Sequence, residues 1–115
     1  MKMTAMDLVA AAKQNITEVD VATAKKELSN FIVLDVRTPA EFISGALPDA
    51  INIPRGILEF RIENHPDFKN KQDADILVYC QTGGRAALAT ENLLKMGYEN
   101  AVSLAGGYQA WKASQ

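Results

Sequence analysis

The chain has one cysteine, one histidine, one tryptophan and no excess of positive charge. A single cysteine cannot close an internal disulfide, so nothing here calls for an oxidising compartment. A cytoplasmic location is therefore expected; a mature form that had lost a leader would read the same. One histidine and one cysteine make no His/Cys cluster with metal-ligand spacing, paired Asp or Glu acid–base work has no clear support, and neither metal nor organic cofactor is expected. Net charge is −2 and the pI about 5.3, which argues against a nucleic-acid or anionic-membrane binder. Long apolar runs are also missing. Asp7 interrupts the first, and Lys13, Gln14 and Asn15 end it, so neither a signal peptide nor a membrane span is read there. Repeats and low-complexity linkers are absent.

What is present fits one domain. A chain of 115 residues, 48% of them hydrophobic, can bury enough surface for one core without staples. Thr4 to about Asn15 reads as a packing helix, capped by Thr4, with Ala5, Leu8, Val9, Ala12 and Ile16 on one face. The N-terminal packing segment is then 1–15 and the domain proper 16–115. Glu18–Val19 is a short strand, and Asp20 caps a helix with Val21, Ala24 and Leu28 inward. Phe31–Val36, Ala50–Ile53, Ile76–Cys80 and Ala101–Leu104 are the remaining strands. Between them Thr38-Pro39-Ala40-Glu41 is a capping box with proline at the first helical position. Helices follow over Arg55 to about Asn64, over Arg85–Met96, and after Gly106-Gly107. Strands alternating with helices predict an α/β fold: a mostly parallel sheet with helices on both faces. The loops leaving the carboxyl ends of its strands then form the site.

Cys80 stands at such a place. In Val78-Tyr79-Cys80-Gln81-Thr82-Gly83-Gly84-Arg85-Ala86 a strand ends at the thiol, a glycine-bearing loop follows, and a helix begins. Backbone N–H groups at a helix start converge on anions and favour thiolate over thiol. Gly83 and Gly84 are read as letting the amides turn inward through positive φ. Arg37, Arg55 and Arg85 each follow a strand end, so a local cationic mouth is expected around the thiol. Arg55 and Arg85 are the candidates for contact with substrate. Arg37 is expected to pair with Asp35 or Glu41 and hold the loops, the same pairing stands for Arg85 as an equal alternative to substrate contact, and Asp35 is expected to act structurally. Arg61 reads as a solvated helix residue and His65 as a turn residue. Phe42, Tyr108 and Trp111 are read as packing residues.

Four ordered motifs carry a resemblance. They are Leu34-Asp35-Val36-Arg37-Thr38-Pro39-Ala40-Glu41-Phe42, Gly45 through Pro54, Val78 through Ala86, and Leu104-Ala105-Gly106-Gly107-Tyr108-Gln109-Ala110-Trp111. Over about Ile16 to Trp111 the chain resembles a single-domain rhodanese, a sulfurtransferase. Ala46 departs from the histidine that the family often places after the glycine. The resemblance implies a three-layer rhodanese-like domain with a central five-stranded sheet. It also implies that Cys80 carries sulfane sulfur as a persulfide, cradled by the amides of Gln81, Thr82, Gly83, Gly84 and Arg85. The expected donor is a small anion, thiosulfate preferred, and the acceptor cyanide or a thiol, including one on a protein. With no second cysteine, the persulfide must be unloaded onto an outside acceptor. Alternatives are a non-catalytic binding or sulfur-carrier module for a protein partner, and a phosphatase or arsenate reductase. Phosphatases of this fold place five residues between cysteine and arginine, whereas only Gln81, Thr82, Gly83 and Gly84 separate them here. A cysteine hydrolase using His65 would need that residue near Cys80, which the layout does not provide.

Overall fold

A computed structural model describes residues 2–115. Met1, the first residue of the expected packing segment, lies outside the described residues. The element order is α1 (Ala5–Lys13), β1 (Glu18–Val19), α2 (Val21–Glu27), β2 (Ile32–Asp35), α3 (Pro39–Ile43), β3 (Ile51–Asn52), α4 (Leu58–Ile62), β4 (Ile76–Tyr79), α5 (Gly84–Lys95), β5 (Ala101–Leu104) and α6 (Gly107–Ala113). Single 3₁₀ turns at Leu28–Asn30 and Arg55–Ile57 precede β2 and α4. The long helix expected from Arg55 is thus a 3₁₀ turn followed by a short α-helix. Pro54 precedes that turn, and no side chain caps either piece.

All five strands are parallel, in the order β1-β5-β4-β2-β3. β2 leads outward to β3, and β4 leads outward the other way to β5. The loops after Asp35 and Tyr79, which pair in register, therefore part company. That parting is the switch point at which α/β sheets form their crevice.

Alternation along β4 sorts the layers. Ile76, Val78 and Cys80 join one core with Leu58 and Ile62 of α4 and Ala86, Ala89 and Leu93 of α5. Leu77 and Tyr79 join the other, with Ala24 of α2 and Trp111 of α6. Helix α1 lies outside α5: Val9 and Ala12 are buried with Ala87. Its expected apolar face is only half used, because Leu8 remains largely exposed. Val9 meets Gly84, Ala12 meets Ala87, and Asn15 bonds Glu91, so α1 runs parallel to α5 and starts beside the Cys80 loop.

Candidate active site at Cys80

Cys80 is the first residue beyond β4, and only 1% of it is exposed. Its Sγ accepts hydrogen bonds from the N–H groups of Gly83 at 3.1 Å and Ala86 at 3.3 Å. Ala86 is the third residue of α5, whose N-cap, Gly83, has no side chain. The sulfur thus occupies the place where a capping oxygen would satisfy a helix N-terminus. A helix start carries partial positive charge, so negative sulfur is favoured there. Among the described residues, the N–H groups of Thr82, Gly84 and Arg85 take no acceptor.

Of the amides that the resemblance implied for the persulfide, Gly83 alone bonds the thiol itself, and Ala86 joins it. Ala86 was not foreseen; its signal was its place as third residue of the helix. Gly83 has the positive φ expected of it, +116°, but Gly84 is an ordinary helical residue. The loop is instead shaped from outside by α6. Tyr108 N–H donates to the Cys80 carbonyl at 2.8 Å, and Gln109 N–H to that of Gln81 at 3.0 Å. These bonds tie the first two carbonyls of the loop to the start of α6. Gly107 makes the approach possible. A Cβ there would lie 2.5 Å from the Cys80 carbonyl oxygen, and φ is +61°. Sequence reasoning took Gly106-Gly107 only as a helix start.

Beneath the loop sits a buried charge network. The Arg37 Nε–H lies 3.1 Å from both Asp35 oxygens, and its Nη2 donates to Oδ2 at 2.7 Å. Arg37 also donates to Gln81 Oε1 at 3.2 Å and to the Gly45 carbonyl at 2.6 Å. Its guanidinium lies over the Tyr108 ring, 4.4 Å from the centroid. Asp35 takes a further bond from the Tyr79 hydroxyl at 2.7 Å. Burial opposes the Arg37 charge, but Asp35 outweighs it and raises the pKa. Burial, with the hydrogen bond to Asp35, likewise pushes the Tyr79 hydroxyl up.

At the far end of the loop, Arg85 donates to Glu41 in a two-pronged pair, Nη1 to Oε1 at 2.7 Å and Nη2 to Oε2 at 3.0 Å. Glu41 also closes the capping box of α3, accepting from the Thr38 N–H at 3.0 Å. The hydrogen bond from Arg85, then that from Thr38, holds the Glu41 carboxyl at about 2. The same pairing raises Arg85. Glu41 therefore partners Arg85, not Arg37.

Arg55 begins at the right end of the sheet, its N–H bonded to the Val36 carbonyl. Its guanidinium, however, is bound by Glu59, which Asn92 of α5 also grips at 2.7 Å. Asn92 lies roughly two turns beyond the loop. The structure thus turns Arg55 toward the flank of α5. Each arginine of the expected cationic mouth has its own carboxylate: Arg37 with Asp35, Arg55 with Glu59, Arg85 with Glu41. A surface depression of about 440 Å³ lies beside the sheet edge, lined by Asn52, Pro54, Phe60, Arg61 and His65 among others, and shares no residue with the Cys80 loop.

A rhodanese-like domain model matches residues 17–114. The chain belongs to the rhodanese-like family. It is 31% identical over 99 residues to a sulfurtransferase of Allochromatium vinosum, covering 84% of this chain and 88% of that one. It is 37% identical over 109 residues to thiosulfate sulfurtransferase 18 of Arabidopsis thaliana, covering 85% and 79%. A solved structure from Rhodopseudomonas palustris, described as a protein of unknown function and possible tyrosine phosphatase, superposes with a TM-score of 0.85 at 27% identity, covering 99% of this chain and 92% of that one. Sulfurtransferase relatives and a rhodanese-type fold thus coincide with the thiol loop. Among the described residues, no helix is long and apolar enough to cross a membrane.

Proposed function

We propose that this protein transfers sulfane sulfur from thiosulfate to cyanide or a thiol, free or on a protein, through a persulfide on Cys80. The observation that carries the reading is the pair of N–H groups, from Gly83 and Ala86, directed at Sγ. Cys80 thiolate attacks the outer sulfur of thiosulfate. One S–S bond forms, the old one breaks, and sulfite leaves with the electron pair. The Cys80–S–S⁻ that results carries its charge on the terminal sulfur, for which the unpaired amides of Thr82, Gly84 and Arg85 are the donors in this reading. Cyanide or a thiolate then attacks that terminal sulfur and Cys80 leaves as thiolate. Prearranged amides stabilise both anions without reorganisation.

Thiosulfate as donor is supported by the name of the Arabidopsis relative and by those free amides, rather than by free guanidinium groups. A cytoplasmic site of action belongs to the same proposal, because a lone loading thiol must stay reduced between cycles. Mass spectrometry after thiosulfate treatment tests the reading. The expected result is the gain of one sulfur atom, absent in Cys80→Ser, and discharge of that sulfur by cyanide with turnover. Loading without turnover would instead mark a sulfur carrier for a protein partner. The description of the Rhodopseudomonas neighbour gives the phosphatase alternative a specific ground. Against it stand the short loop and the occupation of the Arg85 fork by Glu41. Saturable hydrolysis of an aryl phosphate that requires Cys80 would decide for it.

A further inference from the structure

We infer that Glu41 is a specificity-determining residue for the sulfur donor, because it holds the charge of Arg85 in check beside Cys80. The inference rests on the sulfur-transfer reading and names the class of donor the site selects. Arg85 belongs to the first turn of α5, next to Ala86, whose amide bonds Sγ. Both terminal nitrogens of Arg85 are spent on Glu41. The carboxylate is itself tethered. Oε1 accepts from the Thr38 N–H at 3.0 Å and from the Thr38 hydroxyl at 3.1 Å. Swinging it away from Arg85 would undo its half of the capping box on α3. Arg37 and Arg55, committed to Asp35 and Glu59, supply no replacement.

The donor consequently meets backbone amides and a side-chain rim whose formal charges cancel. Thiosulfate brings two negative charges, and a hydropersulfide R–S–S⁻ with a neutral R group brings one. Both reactions balance without an added oxidant: one S–S bond is broken and one is made, and the leaving group is sulfite or R–S⁻. A rim that offers no surplus positive charge penalises the dianion more. Glu41 thereby broadens the donor range toward singly charged persulfides, at the expense of thiosulfate affinity.

The test compares kcat/KM for thiosulfate with kcat/KM for the persulfide of 2-mercaptoethanol, with cyanide as acceptor, at low and high salt. Glu41→Gln keeps an oxygen for the cap and removes the charge. We expect it to raise the thiosulfate-to-persulfide ratio about fivefold to tenfold at low salt, through KM for thiosulfate, with the gain fading at high salt. Adding Arg85→Ala should erase the gain. Should Glu41→Gln fold poorly, Glu41→Asp serves. Asp7 closes the same kind of box with Thr4 in α1, so the cap survives while the shorter arm withdraws from Arg85. A smaller rise in the same direction is then expected. A ratio that is unchanged or lowered, while both donors still load Cys80, overturns the role of Glu41 and leaves sulfur transfer standing. Failure of both donors to load Cys80 in the wild type overturns both.

Discussion

Two arginines clamp the two ends of the thiol loop, and they do so under opposite conditions. Arg37 is 1% exposed and is engaged by Asp35, Gln81, the Gly45 carbonyl and the Tyr108 ring. In the Arg85–Glu41 pair the side chains are 39% and 32% exposed. Both pairs are two-pronged, so local geometry does not separate them. The dielectric around them does. A buried pair is costly to break because one charge is left stranded, whereas an exposed pair loses little when one partner goes. The inner clamp therefore defines the loop's position. The outer one is free to tune how the site treats charge.

The hardest blow to that contrast would be equal stability losses on the two sides. Arg37→Met strands Asp35, which is fully buried. We expect it to destabilise the protein by about 3–5 kcal/mol in urea unfolding. Arg85→Met should cost about 1 kcal/mol or less in the same measurement, while changing donor kinetics.

Next in size is Gly107→Ala. Its Cβ would lie 2.5 Å from the Cys80 carbonyl oxygen and 2.7 Å from that of Gln81. The loop must shift outward, away from α6. A displacement on the order of 1 Å costs about a hundredfold in rate, so sulfur transfer should fall by roughly that factor. The φ of +61° adds a stability loss of about 1–3 kcal/mol. Wild-type turnover in this variant would show that α6 does not aim the amides.

A smaller effect separates the clamps in acid. The Glu41 carboxyl is lowered to about 2 from an ordinary 4.5, chiefly by Arg85. A depressed carboxyl contributes stability that is fully present above its unfolded pKa and is lost as pH falls through the folded one. The stability gap between wild type and Glu41→Gln should thus hold steady above about pH 4.5 and shrink as pH falls toward about 2. In Arg85→Met the Glu41 titration, followed by NMR, should move back toward the usual carboxylate range.

The contrast between clamps also explains what the sequence disclosed. Apolar runs such as Ile76–Tyr79 announced buried parallel strands, since burial on both faces leaves little room for polar side chains. Thr38-Pro39-Ala40-Glu41 announced a helix start, because capping is local. Cys80 was legible for the same reason: strand end, glycine and helix start are neighbours along the chain. Partners far apart in sequence were not. Glu41 and Arg85 are joined only by the fold, as are Arg55 and Asn92 through Glu59. Asp35 and Glu41 were legible as partners for Arg37 and Arg85, but which takes which, and the pairing of Arg55 with Glu59, came only with the fold. Gly107 was hidden likewise, because its constraint is the Cys80 carbonyl across the sheet end.

The finest test compares two adjacent glycines. Gly83 has φ +116°, so Gly83→Ala should cost about 1–3 kcal/mol and pull one donor from the sulfur. Gly84 is helical, and an added Cβ would sit 3.6 Å from Val9 Cγ2, an ordinary contact. On stability alone Gly84→Ala should be neutral, or more stable by up to about 1 kcal/mol, read as a small rise in Tm. Its kinetics carry the information. If thiosulfate or its sulfur comes close to the free Gly84 amide, the new methyl will raise KM for thiosulfate while the fold holds. If KM stays put, the outer sulfur is held from the Thr82 side.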